Sequence, residues 1–225
     1  MSFQIGGFQI KESTSEKLLG AWIKNDLSWS SHLKKLENEL NYRLYKLRKI
    51  EQTLPKSLLK KVADAIFCSI IRYELAIFCP IRITPADPNP TSIEGIKVIY
   101  HNLLRFLCNS KRSSHTSIAS MLDKLGWLSI NQLSCEIRLI EVWKALNQEN
   151  HCLRNLFEKA TTNTGITRSA GLNKLKAPFK SKIRENSFVY PSVQIWNSAP
   201  SEVTTALTET SARTAIRKYV HTLTI

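Results

Sequence analysis

The sequence has no closely spaced cysteine pair, no secretory signal pattern and no long unbroken apolar run. Its five cysteines are an odd number and include no C-x-x-C spacing, which predicts reduced thiols rather than a disulfide framework. With no basic-then-apolar segment at the N-terminus, we expect an intracellular protein, nuclear or cytoplasmic. The most apolar stretch, residues 65–83, is interrupted by Arg72 and Glu74 and reaches Pro80, so it predicts a buried helix rather than a membrane span.

Signatures of catalysis and of cofactor binding are also missing. Gly6-Gly7 lacks the following helix that a phosphate-binding loop requires, and no local pattern supports a Ser-His-Asp or Cys-His site. His151-Cys152 together with Cys135 could suggest zinc, but the spacing fits neither a finger nor a knuckle. A structural histidine and buried thiols are the favoured interpretation, and we expect no cofactor and no small-molecule substrate.

Positive charge is the strongest compositional signal. Lysine and arginine number 32 against 18 aspartates and glutamates, for a formal net charge of +14. A surface of this sign attracts phosphate polymers, and the counterions that they release favour binding that tolerates any sequence but is sensitive to salt. The composition therefore predicts a nucleic-acid partner, and a solvated basic surface without a specific partner is the alternative.

The N-terminal residues predict a β-hairpin. Two alternating runs within residues 3–10 flank Gly6-Gly7, a pair suited to the positive φ angles of a primed two-residue turn. A third run, residues 18–23, is expected to extend the pair to three strands.

Two helices are predicted next, the first of them amphipathic and basic. Apolar residues at three- and four-residue steps give the first helix one buried side, and cations load the rest of its surface. Pro55 separates it from a second helix over residues 56–77. The apolar side comprises Leu33, Leu36, Leu40, Leu44, Leu47 and Ile50, and the cations are Lys34, Lys35, Arg43, Lys46, Arg48 and Lys49. The inward side of the second helix is expected at Leu59, Val62, Ala63, Ile66, Ile70, Tyr73 and Ile77.

The remaining chain also reads as mainly helical. Capping boxes at Thr91–Glu94 and Ser129–Gln132 each predict a helix start, and a short helix is expected over residues 117–125. The helix after Ser129 is supported by the spacing of Leu133, Ile137, Ile140 and Leu146. Residues 188–196 and 208–223 predict two further helices. The fold class is therefore mainly α, a helical bundle with a small N-terminal β-hairpin or three-stranded sheet.

A basic loop is expected before the last helices. Residues 161–187 begin rich in Thr, Asn, Gly and Ser and continue with cations, which predicts poor order. This loop is a second candidate for nucleic-acid contact, with a solvated loop as the alternative. Its candidate contact residues are Lys174, Lys176, Lys180, Lys182 and Arg184. The five tryptophans are expected to be mainly core anchors, with base stacking as the alternative.

Three segments, in order along the chain, carry a family resemblance. They are Lys17-Leu18-Leu19-Gly20 with Leu27-Ser28-Trp29-x-x-His32-Leu33, then Leu125-Gly126-Trp127-Leu128-Ser129-Ile130, then Ser187-Phe188 with Ile195-Trp196-Asn197-Ser198-Ala199-Pro200. Together they resemble the palm-to-thumb passage and carboxyl-terminal region of reverse transcriptases from non-LTR, LINE-like retrotransposons of the CR1, L2 or jockey type. The third departs from the family at Ala199, where leucine is usual.

The resemblance implies a thumb-like role without catalysis. The family's polymerase motif contains an Asp-Asp pair that binds two metal ions, and this sequence has no such pair. We therefore expect a truncated RNA-directed DNA polymerase fragment that begins downstream of the catalytic palm, with no enzymatic activity of its own. Mg²⁺ would belong to the missing palm. The expected partner is RNA or a primer–template duplex, bound with low specificity, and no membrane.

The resemblance also assigns a part of the polymerase to each predicted segment. It implies that the N-terminal hairpin lies where the family has its primer grip. The segments are 1–27, a palm-edge remnant; 28–79, a thumb-like basic helical pair; 80–90, a proline-rich linker; 91–160, a carboxyl-terminal helical region; 161–187, a basic flexible loop; and 188–225, a helical tail with the Trp-Asn-x-x-Pro element.

Two alternatives remain open. A domesticated, non-enzymatic helical module that binds protein would present an exposed apolar groove and respond little to polyanions. A helix-turn-helix DNA reader after Pro90 would need a recognition helix with polar, base-reaching residues, and none stands out in the sequence.

Overall fold

A computed structural model describes residues 2–26, 29–78, 93–111, 116–160, 173–178 and 187–223. The chain divides into two compact units. Unit 1 comprises Met1–Ser69 and Pro90–Met121, and unit 2 comprises Ile70–Asn89 and Leu122–Ile225. The protein is mainly α, with a small antiparallel β-hairpin near its N-terminus, as predicted.

The predicted N-terminal hairpin is confirmed. Strands β1 (Ser2–Ile5) and β2 (Phe8–Lys11) pair in antiparallel register. Gly6 and Gly7 have φ angles of 56° and 83°, so both central residues of the turn take the positive φ that a type I′ turn requires.

The prediction of a third strand over residues 18–23 is wrong, because a turn interrupts this run. Strand β3 (Ser15–Leu18) and strand β4 (Ala21–Lys24) form a separate two-stranded sheet. Leu19 and Gly20 lie between them with φ angles of 50° and 102°. The chain therefore reverses within the apolar run that alternation alone would assign to one strand.

Helix α1 (Ser30–Ile50) follows the second hairpin and is the longest element of unit 1. The predicted apolar side is confirmed, since its five leucines are buried while Ile50 is half-buried. The helix ends before a 3-10 turn (Glu51–Thr53) that leads to Pro55, as the proline predicts. The buried leucines are Leu33, Leu36, Leu40, Leu44 and Leu47.

The second predicted helix is present but contains a π turn. Helix α2 (Lys56–Ala63) continues through the π turn (Asp64–Cys68) into helix α3 (Ser69–Phe78). The Ser69 amide donates to the carbonyl of Asp64, five residues back.

This π turn changes which side chains are buried. Because it holds an extra residue, every later position rotates relative to a regular helix. The buried positions become Phe67, Ile71 and Leu75, while Tyr73, expected to face inward, is 69% exposed. Ile66 and Ile70 are only half-buried, and the side chain of Ile77 lies outside the described residues.

Helix α4 (Glu94–Leu107) packs on α1 in unit 1. Its N-cap is Ile93, and Glu94 is its first helical residue. The predicted capping box would instead make Glu94 the third helical residue, after a cap at Thr91. Thr91 itself lies outside the described residues. A Cβ atom at Gly95 would meet the carboxylate of Glu37, which marks a close approach of the two helices.

Helix α5 (Ile118–Leu125) is followed by Gly126, whose φ is 63°, and helix α6 (Ile130–Asn147) begins four residues after that glycine. The predicted capping box of α6 is confirmed. The Ser129 hydroxyl accepts from the Gln132 amide at 3.2 Å, and the Gln132 side chain accepts from the Ser129 amide at 2.9 Å.

The buried surface of α6 is broader than its predicted apolar face. Leu133 is buried, but Ile137, Ile140 and Leu146 are only half-buried. Arg138 is fully buried, and its Nη1 donates to the carbonyl oxygens of Ser187 and Phe188 at 3.3 and 2.8 Å. An arginine thus anchors the start of the C-terminal helices, which hydrophobic periodicity could not indicate.

The last helices are α7 (Val189–Ser198), α8 (Ser201–Thr204) and α9 (Glu209–Thr222), and α6 packs against α7 and α9. The helices predicted at 188–196 and 208–223 are confirmed. Arg217 ties α9 to α6 by two contacts with the Glu136 carboxylate, at 3.0 and 3.1 Å.

The Trp-Asn pair of α7 has a structural role. The Trp196 indole nitrogen donates to the carbonyl of Asn173 at 2.8 Å. The Asn197 amide accepts from the backbone N–H of Leu175 and donates to its carbonyl, at 2.8 and 2.9 Å. These contacts hold residues 173–175 against α7, so this element of the resemblance is explained by backbone recognition within unit 2.

His32 joins α1 to β4 by a hydrogen bond, and the effect of pH on stability can test this contact. It is buried, its Nδ1 accepts from the Trp22 amide at 3.4 Å, and burial lowers its pKa. Because the unfolded chain takes up the proton more readily, stability present above about pH 6.5 is lost as the pH falls below it. We predict that urea unfolding of the His32→Asn variant, which keeps an acceptor, loses less stability between about pH 7 and about pH 5 than the parent.

Comparing the parent with the variant separates the contribution of His32 to the pH dependence from that of His101. The pKa of His101 is also lowered, first by burial and then by Arg105 and Lys97. Equal pH dependence in parent and variant would show that His32 is protonated equally readily in both states.

Candidate nucleic-acid interface

The face of α1 opposite its leucines is basic and exposed. Lys34, Lys35, Lys46, Arg48 and Lys49 are all exposed. The leucine side is fixed by packing against α4, β4 and the π turn, which leaves these cations pointing away from the core. Between positions 34 and 49 the helix rises about 22 Å, which is long enough to meet several phosphates of a strand.

Two tyrosines lie on the same face and were not identified from the sequence. Tyr42 and Tyr45 are 53% and 56% exposed. The Lys46 ammonium lies 4.2 Å from the Tyr42 ring centroid, and that of Lys49 lies 5.4 Å from the Tyr45 ring centroid. The four-residue spacing of each pair is the signal that could have revealed them, because it aligns the two side chains on one helix face.

Arg43 differs from the other five predicted cations of α1. It is half-buried, its Nε donates to the Glu39 carboxylate at 2.7 Å, and its Nη1 donates to the carbonyl of Ile66. Ile66 belongs to the π turn, where the ordinary helical pairing of carbonyls is displaced. Arg43 therefore joins α1 to the π turn, a role that its sequence position among lysines does not suggest.

The N-terminal lysines of α1 have weak or aromatic partners. Lys34 lies 3.9 Å from the Glu37 carboxylate, at the edge of an ion pair, and its side chain is 75% exposed. The Lys35 ammonium lies over the ring of Trp22 on β4. Solvent screens such pairs, so both remain able to meet a phosphate.

The second predicted cluster is only partly described. Lys174 and Lys176 are exposed on either side of Leu175, which bridges to Lys159. Lys176 pairs with Glu158 at 3.2 Å, in an exposed contact. Lys180, Lys182 and Arg184 lie outside the described residues. Lys174 and Lys176 belong to unit 2, whereas the α1 cations belong to unit 1.

Residues with metal-ligand chemistry are dispersed. Within the described ranges, no three side chains of His, Cys, Asp or Glu converge on a point that could hold an ion. His151 contacts the Glu141 carboxylate at 3.3 Å, and Cys152 is exposed while Cys135 is buried. Three tryptophans, Trp127, Trp143 and Trp196, are buried as core anchors, while Trp22 and Trp29 are half-buried.

In the parts of the chain that the structure describes, no helix combines the length and apolarity needed to cross a lipid bilayer. Comparison with family models, with curated proteins and with solved structures gives no match for this chain.

The distinct position of Arg43 predicts a stability effect. We expect Arg43→Met to lower the free energy of unfolding by about 1–3 kcal/mol, because it removes a charged donor from the Ile66 carbonyl. Urea unfolding followed by circular dichroism measures this change. The matched control is Lys46→Met on the exposed face, expected to change stability by less than about 0.5 kcal/mol. Equal losses in the two variants would contradict a joining role for Arg43.

Proposed function

We propose that this chain binds RNA or a primer–template duplex, with little sequence preference, through the exposed basic face of α1. The main support is the arrangement of α1, whose leucines are buried on one side. Its other side exposes Lys34, Lys46, Arg48 and Lys49. Cations spaced along a rigid rod can follow a phosphate backbone without reading bases.

Local acidic residues do not cancel this face. Glu39 is engaged by Arg43, and Glu37 lies at the edge of contact with Lys34. Lys46 and Lys49 instead lie over tyrosine rings, which leaves their positive charge uncompensated by a carboxylate among the described residues. The rings themselves offer surfaces on which unpaired bases can stack.

The family resemblance supports the same role. Reverse transcriptases of the LINE-like type hold the template–primer with a helical thumb, and α1 follows the Lys-Leu-Leu-Gly and Leu-Ser-Trp segments in the order that the resemblance implies for that thumb. We propose that the chain represents the thumb and carboxyl-terminal region of such an enzyme. Since its sequence contains no Asp-Asp pair, we expect it not to polymerise DNA on its own.

The direct test removes charge from α1 alone. We predict that the triple variant Lys34→Gln, Lys46→Gln, Lys49→Gln weakens binding of an oligouridine by about tenfold or more at moderate salt. The slope of log affinity against log salt should become shallower by about 0.7 for each phosphate that the variant no longer neutralises. Fluorescence anisotropy over a series of salt concentrations measures both quantities.

The control is a variant of equal charge, Lys56→Gln, Lys61→Gln, Lys124→Gln, whose lysines are exposed but lie on other helices. It should lose much less affinity, because net charge falls equally while the α1 face stays intact. Equal losses in the two triple variants would assign binding to overall charge. Affinity that ignores salt, or an absence of binding, would favour the protein-interaction module.

A further inference from the structure

A cavity of about 490 Å³ lies in unit 1 between the carboxyl-terminal ends of α1 and α4. The two helices run in the same direction, since Glu37 in the first half of α1 approaches Gly95 at the start of α4, and Arg48 and Arg105 line one cavity near their ends. A volume of this size is typical of sites for small organic ligands and exceeds what a bare ion needs.

The cavity has a mainly positive lining. Arg48, Arg105 and Lys111 line it with one carboxylate, Glu51. The Nη1 of Arg105 is buried and has no hydrogen-bond partner among the residues that the structure describes. Because a buried donor of a charged group is costly to leave unpaired, a ligand toward which the Arg105 guanidinium could turn would be favoured. Asn102 and Phe106 add an amide and an aromatic ring to the same wall.

The end of α4 pairs two of its carbonyls within the chain, which lessens their repulsion of an anion. Asn109 takes a φ of 52°, its amide donates to the carbonyl of Phe106 at 3.1 Å, and the Ser110 amide donates to the carbonyl of Arg105 at 2.8 Å. This is a Schellman motif, which pairs carbonyls that would otherwise present partial negative charge at the helix end. It also turns the chain so that Lys111 lines the cavity.

We propose that this cavity binds a nucleotide through its phosphate group, with the Arg105 fork as the main donor and the Phe106 ring beside the sugar or base. Arginine suits this role because its planar fork matches the oxygens of a phosphate. The inference deepens the proposed function and rests on it, since Arg48 lies at the end of the basic face of α1 and joins that face to the cavity. The nucleotide is thus one unit of the bound strand.

The test uses free uridine monophosphate (UMP) as the probe, with uridine and inorganic phosphate for comparison. In an NMR titration of the full chain, we predict that UMP shifts the amide signals of residues 105–111, that uridine does not, and that inorganic phosphate binds more weakly than UMP. Arg105→Gln should weaken UMP binding by about tenfold or more, as expected for losing a charged hydrogen bond. Lys111→Gln, at an exposed position, should also weaken it.

The two proposals fail in different ways. The Lys34, Lys46, Lys49 triple variant should lose oligouridine affinity but keep its UMP affinity, whereas Arg105→Gln should do most damage to UMP binding. Unchanged UMP affinity in both Arg105→Gln and Lys111→Gln would overturn the cavity proposal, even if oligouridine still binds α1. The cavity proposal would also be overturned if uridine or inorganic phosphate bound with the same affinity as UMP.

Discussion

Burial of the leucine side of α1 is the constraint on which unit 1 depends. Each leucine removed from water contributes about 2 kcal/mol, and five of them along one helix fix its rotation against α4, β4 and the π turn. That rotation decides which side chains face solvent. The positive face is therefore a consequence of core packing: turning the helix by one residue would bury lysines and expose leucines.

Some of the cations and motif residues bind backbone groups within the fold instead of lying on the solvent-exposed surface. Arg43 binds a backbone carbonyl of the π turn, and the buried Arg138 holds the backbone at Ser187 and Phe188. Trp196 and Asn197 likewise hold residues 173–175. The segment around Trp196 and Asn197, which carries part of the resemblance to reverse transcriptases, thus has a physical reason to exist within the fold itself.

Several regular, local patterns were predictable from the sequence, whereas interruptions of a pattern were not. The leucine repeat of α1, the Gly6-Gly7 turn and the capping box at Ser129 each depend on neighbouring residues, and each was confirmed. The π turn was missed because it breaks the period on which the inward positions were assigned, which is why Tyr73 is exposed. The cavity at Arg105 was missed because it joins residues distant in sequence, and periodicity carries no information on such contacts.

Binding along α1 can be tested by mapping where a bound strand contacts the protein. Ultraviolet cross-linking of an oligouridine, followed by mass spectrometry of the peptides, reports contact without any substitution. We predict that cross-links concentrate in α1, with Tyr42 and Tyr45 among the modified residues, because these exposed rings lie beside the lysines. Cross-links confined to unit 2, with α1 unmodified, would contradict it.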